Sequence, residues 1–158
     1  MDDLCRLAEG EKLEFLQIKS LSPTFVLELI ESILTNSGEL FATHRELVQV
    51  LRNRLMPLTV RYMSERHNFP QTVRIARILL ILFKRHMILL TAECEMALGL
   101  LTHLLEPDGT APWKRVLCME VFRGLHAEPG LIRLIYSLYD GKEGRQNILR
   151  DHMASLVR

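Results

Sequence analysis

The 158-residue sequence is poor in the features that usually mark chemistry. Its three cysteines, Cys5, Cys94 and Cys118, stand far apart with no C-x-x-C pair. That excludes a disulfide framework or a cysteine zinc site and fits a reducing, cytosolic setting. Charge of one sign is absent too: twenty basic against nineteen acidic residues leave +1, so no global field favours a polyanion and nucleic acid is not expected as a partner. The glycines are scattered, with no G-x-S-x-G, P-loop or G-x-G-x-x-G, and they read as turn residues. Six histidines, at 44, 67, 86, 103, 126 and 152, never fall at i, i+3 or i, i+4, so no metal site can be built on a single helix. The start, MDDLCRLAEGEK, has no basic segment followed by an apolar one and therefore no visible signal peptide. It opens in the manner of a helix already under way, which suggests a piece of a longer protein.

What is present is helical periodicity. With 48% hydrophobic and 25% charged residues, the chain is expected to form a single globular domain over 1–158 with a real core. No segment alternates apolar and polar residues long enough to argue a sheet. Ser22-Pro23 places a cap and a proline at a helix start, with Phe25, Val26, Leu29, Ile30, Ile33 and Leu34 on one face and a stop at Asn36-Ser37-Gly38. Thr43-His44-Arg45-Glu46 reads as a capping box opening a second helix, which Pro57 kinks or splits before a polar break over Ser64–Asn68. Further starts fall at Phe69-Pro70, Thr91, Ala111-Pro112, Glu128-Pro129 and about Arg145, and Glu106-Pro107-Asp108-Gly109 is a loop. This predicts an all-α chain of about six to eight helices. The prolines at 23, 70 and 112 are spaced by 47 and 42 residues, within the period of armadillo or HEAT repeats, so an α-solenoid is the expected architecture.

The densest segment is VRIARILLILFKRHMILL, Val73 to Leu90. A bilayer crossing takes roughly 20 mostly apolar residues, whereas Lys84-Arg85-His86 interrupt this run. Projected at about 100° per residue, Arg74, Arg77, Lys84 and Arg85 form one narrow basic stripe, and apolar residues cover the rest. The stripe is either a solvated face or a contact for anionic headgroups or an acidic partner. Glu28, Glu31 and Glu39 mark an acidic counterpart near the first strong helix.

No catalyst emerges. Glu93 and Glu95 flank Cys94, but two residues apart on a helix they diverge by about 160° and cannot share one substrate atom. Cys94 lies on an apolar face with carboxylates on both sides, the setting of a buried structural thiol and not of a nucleophile. No cofactor or metal is expected.

Particular segments resemble one family. Asp3-Leu4-Cys5, SPTFVLELIESIL from Ser22 to Leu34, the stretch Gly38 to His44 with Phe41, and LLTAECEMALGLL from Leu89 to Leu101 are similar to the Mon-two (monensin-sensitivity) Golgi scaffold family. These are relatives of the BIG-type large Arf guanine-nucleotide exchange factors, and the similarity is to their HUS domain, the homology region upstream of the exchange domain. It covers nearly the whole chain in order and spacing. The HUS box of the exchange factors, Asn-aromatic-Asp-Cys-Asp, falls at Leu138-Tyr139-Asp140-Gly141-Lys142, where only Tyr139 and Asp140 match. The departures at Leu138, Gly141 and Lys142 look like the Mon-two branch.

The resemblance implies a non-enzymatic regulatory or scaffold domain of Golgi–endosome traffic, cytosolic and peripheral on trans-Golgi or endosomal membranes. It implies packing with a preceding dimerisation and cyclophilin-binding (DCB) region, and partners of the Dopey scaffold, Arf-like GTPase and aminophospholipid flippase types. It makes Tyr139 and Asp140 candidates for an interdomain contact. Two other readings stand beside it: a lipid-binding module using Arg74, Arg77, Lys84 and Arg85, and a regulatory domain of a true Arf exchange factor. Independently of any family, Tyr139-Asp140-Gly141 reads as a helix stop, with Gly141 left-handed and Asp140 bonding locally.

Overall fold

The structure is a computed structural model that describes residues 1–18, 20–65, 68–106 and 109–157. Arg66 and His67 of the expected polar break, and Pro107 and Asp108 of the expected loop, lie outside the described residues. Among the described residues the chain is all helix, as its periodicity predicts, with no strand. The elements are α1 (Asp2–Glu9), α2 (Pro23–Asn36), α3 (Gly38–Thr43), α4 (Arg45–Val50), a π-helical turn (Leu51–Leu55), α5 (Met56–Ser64), α6 (Phe69–His86), α7 (Thr91–His103), α8 (Pro112–His126), α9 (Pro129–Leu138) and α10 (Ile148–Val157). These exceed the expected six to eight, because α1 and the short α3 carry no strong start signal. No described helix is long and apolar enough to cross a membrane.

The chain divides into two compact units, Met1–Ile81 and Leu82–Arg158. In the first, Val26, Leu27, Ile30 and Leu34 of α2 are fully buried with Leu51, Leu55, Met56 and Leu58. Leu27 takes the inward place expected of Phe25, which is 46% exposed. In the second, Cys94, Leu98 and Leu101 of α7 and Cys118, Val121, Phe122 and Leu125 of α8 are buried. The three cysteines are free and buried, and desolvation pushes each thiol up to about 12.

Several boundaries follow from sequence chemistry. Ser22 caps α2, its hydroxyl accepting from Phe25 N–H at 3.3 Å, with Pro23 at the first turn. The expected capping box at Thr43–Glu46 does not form. Thr43 closes α3, and its hydroxyl donates back to the carbonyls of Glu39 (3.3 Å) and Leu40 (3.2 Å), which leaves His44 as the residue before α4 without a side-chain cap. Of the two expected effects of Pro57, a kink or a split, the split does not occur, since helical backbone runs unbroken over 45–64. Lacking an N–H, Pro57 cannot complete a regular turn, and the backbone takes the wide π turn at Leu51–Leu55 just before it.

The N-terminal segment is tied down by one carboxylate. Asp3, 4% exposed, accepts the backbone N–H groups of Glu14 (3.0 Å), Phe15 (2.7 Å) and Leu16 (2.6 Å). The Glu14 bond leads the effects that hold this carboxyl below its usual range. Behind it, Tyr62 of α5 donates to the carbonyl of Ala8 at 2.8 Å.

Candidate functional site

The basic stripe lies along α6, and its charges already have partners. Arg74 reaches Glu28 at 2.6 Å and Glu31 at 3.1 Å, both on α2. Arg77 sits 3.8 Å from the same Glu31. Thus two members of the stripe meet two members of the acidic counterpart named from sequence. Glu39 takes no part in these pairs. Lys84 pairs with Glu128, just before α9, at 2.6 Å, and Arg85 is exposed. A stripe matched by carboxylates in this way projects much less positive potential than its sequence implies.

Tyr139 and Asp140 sit at the corner between α9 and α10. Tyr139, a candidate for an interdomain contact by the resemblance, does not expose its ring: it is fully buried, and its hydroxyl donates to the carbonyl of Thr91 at the start of α7, at 2.9 Å. An apolar ring with one satisfied polar tip is a core group. Burial raises its hydroxyl well above the ordinary range. Asp140 reaches beyond its own turn, although the sequence predicts a local turn bond. Its carboxylate accepts the N–H groups of Leu149 and Arg150, each at 3.2 Å, satisfying free donors in the first turn of α10. Asn147, which directly precedes α10, turns its side-chain oxygen to the N–H of Gly141 at 2.8 Å instead. Gly141 takes the left-handed conformation expected of it, φ 72°.

Glu95 completes this corner, and sequence reasoning treated it only as one half of a rejected carboxylate pair. One oxygen takes Arg145 at 2.6 Å and the other accepts the N–H of Gln146 at 2.7 Å. With those residues held by α7, the last helix begins at Ile148 and not at Arg145. Glu95 and Arg145 are fifty positions apart, so no local pattern could have paired them.

Two histidines also converge. His152 of α10 stacks on Phe122 of α8 with ring centroids 3.7 Å apart, and the ring of His126 lies 5.2 Å from it. The single-helix spacing test is blind to such a pair. His152 is buried, its Nδ1 has no hydrogen-bond partner, and desolvation followed by the nearby His126 lowers its pKa to about 4. No group of three or more potential metal ligands occurs among the described residues.

These features describe an all-α chain whose singled-out side chains join one helix to another. The family model for the Mon2/Sec7/BIG1-like HUS domain matches residues 1–148, and the chain belongs to that family. Among curated relatives, it is 36% identical over 155 residues to the MON2 homolog of Schizosaccharomyces pombe, a match that covers 98% of this chain and 10% of that protein. Similarity to the MON2 homologs of Xenopus laevis and Homo sapiens is 30% and 29%, each over 98% of this chain and 10% of the relative. The chain thus spans about a tenth of the length of these relatives. No solved structure matches it.

Proposed function

We propose that this chain is a non-enzymatic regulatory and scaffold region of a Golgi–endosome trafficking protein, peripheral on the cytosolic face of trans-Golgi or endosomal membranes. It acts by protein–protein contact and contributes to membrane recruitment. The family match over residues 1–148 carries this reading. The internal pairing of the candidate residues, which tie one helix to another, is in keeping with a scaffold role. A preceding DCB region, a Dopey-type scaffold, Arf-like GTPases and a flippase are the proposed partners, and stacked helical repeats across a single 1–158 domain the proposed architecture.

The experiment is affinity purification of the full-length protein with and without this segment, coupled to imaging of its Golgi and endosomal location. Loss of a Dopey-type partner or of the membrane signal on deletion is expected; an unchanged partner set and location would reject the proposal. Direct lipid binding through the stripe is the weaker reading, since Arg74, Arg77 and Lys84 each face a carboxylate. Flotation with anionic vesicles that is sensitive to salt and lost in Arg77→Glu/Lys84→Glu would restore it.

A further inference from the structure

Within the second unit, α8 and α10 leave a trough of about 520 Å³, walled by Leu105, Pro112, Val116, Met119 and Leu156 and open along one side. Val116 is 60% exposed, Met119 40% and Leu156 45%. An apolar trough of this kind is a standing cost in water unless something covers it.

Its electrostatics are lopsided. Arg115 lines the trough, is half-buried, and takes part in no ion pair among the described residues. It lies in the first turn of α8, which has no acidic residue and no side-chain cap, so the positive end of the helix adds to its charge. The nearest lining carboxylate, Glu120, is already held by Arg123 at 2.6 Å. One end of an otherwise apolar surface therefore offers an unanswered positive charge.

We infer that this trough is the docking groove for an amphipathic helix of a partner protein, whose apolar stripe seats against Val116, Met119 and Leu156 and whose carboxylate meets Arg115. A helix suits it better than a small ligand. Compact ligands bind where most of their surface can be enclosed, whereas a half-open apolar trough takes a helix that supplies the missing wall. Methionine in the wall accommodates varied side chains. The inference rests on the proposed protein–protein role and assigns it a surface.

A display library of amphipathic helices, with a fixed leucine stripe and randomised polar positions, tests this on the whole chain. Clones selected on the native chain are expected to be enriched in Asp or Glu at one position. They should bind about tenfold more weakly to Met119→Asp and about fivefold more weakly to Arg115→Glu. Selection on Arg115→Glu should instead enrich Lys or Arg at that position. Because Arg115 has no ion-pair partner among the described residues, that variant should keep the native thermal unfolding profile. Absence of selectable helices, clones indifferent to Met119→Asp, or no charge inversion with Arg115→Glu would each overturn the inference. So would phosphatidylserine vesicles that bind the native chain and not Met119→Asp while no helix binds. Partner loss in the deletion experiment would survive any of these failures, so the two readings fall separately.

Discussion

Replacing Tyr139 separates a core role from a contact role. The ring is fully enclosed and its hydroxyl has one partner, the Thr91 carbonyl at 2.9 Å. Tyr139→Phe keeps the ring and removes that bond. A typical intramolecular hydrogen bond contributes about 1 kcal/mol net, so a fall in Tm of about 2–4 °C is expected for a chain of this size. Tyr139→Ala removes the ring as well and leaves a cavity between α7 and the α9–α10 corner. Large-to-small core changes of this type cost about 3–5 kcal/mol, which corresponds to a fall of roughly 10 °C or more. Thermal unfolding followed by circular dichroism at 222 nm, with urea midpoints as a second readout, measures both. Any loss of partner binding in Tyr139→Ala should then track the unfolded fraction, and Tyr139→Phe should bind normally. A Tyr139→Ala chain that melts within a degree of the parent yet no longer binds would refute the reasoning and put the ring back at an interface.

Four further outcomes are expected. Because the folded-state pKa of His152 is about 4, below the ordinary value of about 6.5, its neutral form is the one compatible with folding. Stability from this group is complete above about pH 6.5 and falls as pH drops toward about 4, by about 2 kcal/mol after discounting for solvent screening. Denaturant midpoints measured across this range should slope in the parent and be flatter in His152→Phe. For Asp3, whose pKa is lowered in the folded state, the stabilisation is present above about pH 4 and disappears as pH falls through the depressed value; Asp3→Asn should weaken that acid dependence and speed hydrogen exchange at Glu14, Phe15 and Leu16. Asp140→Ala, leaving two first-turn donors of α10 without their carboxylate, should cost about 1 kcal/mol and raise exchange at Leu149 and Arg150 selectively. Arg74→Glu should destabilise the chain by about 1 kcal/mol through repulsion with Glu28 and Glu31, and adding Glu31→Arg should recover part of it in a double-mutant cycle.

Helix identity was legible wherever short-range chemistry decides it. Ser22-Pro23, Ala111-Pro112 and Glu128-Pro129 each carry a start, and Gly141 carries a stop, because caps and proline geometry act within one turn. Thr43 escaped the same logic: a hydroxyl that can cap the next helix can equally bond back into the previous one, and only the placement of α3 chooses. The corner between α9 and α10 lay beyond sequence for a different reason. Its position as a turn was visible, but Glu95 and the carbonyl of Thr91 come from a helix some fifty residues earlier. Similarly, Arg74 and Glu31 were both noticed, though as two separate surfaces. Periodicity shows that each lies on a polar face; it contains nothing about which faces meet.

The π turn before Pro57 has a consequence for chain length. A π turn holds one residue more than the α-helical turn it replaces, so the helical faces before and after it keep their relative orientation despite the extra residue. Removing one residue from Leu51–Leu55 together with Pro57→Ala, which restores the missing N–H, would let the backbone close as ordinary α-helix with α4 and α5 still facing as they do. The same deletion inside α6 would rotate everything beyond it by about 100° and turn Ile78, Leu82 and Phe83 away from the core. The Leu51–Leu55 turn is thus a place where a helix of this chain can lose a residue, once Pro57 is replaced, without altering which side chains it presents.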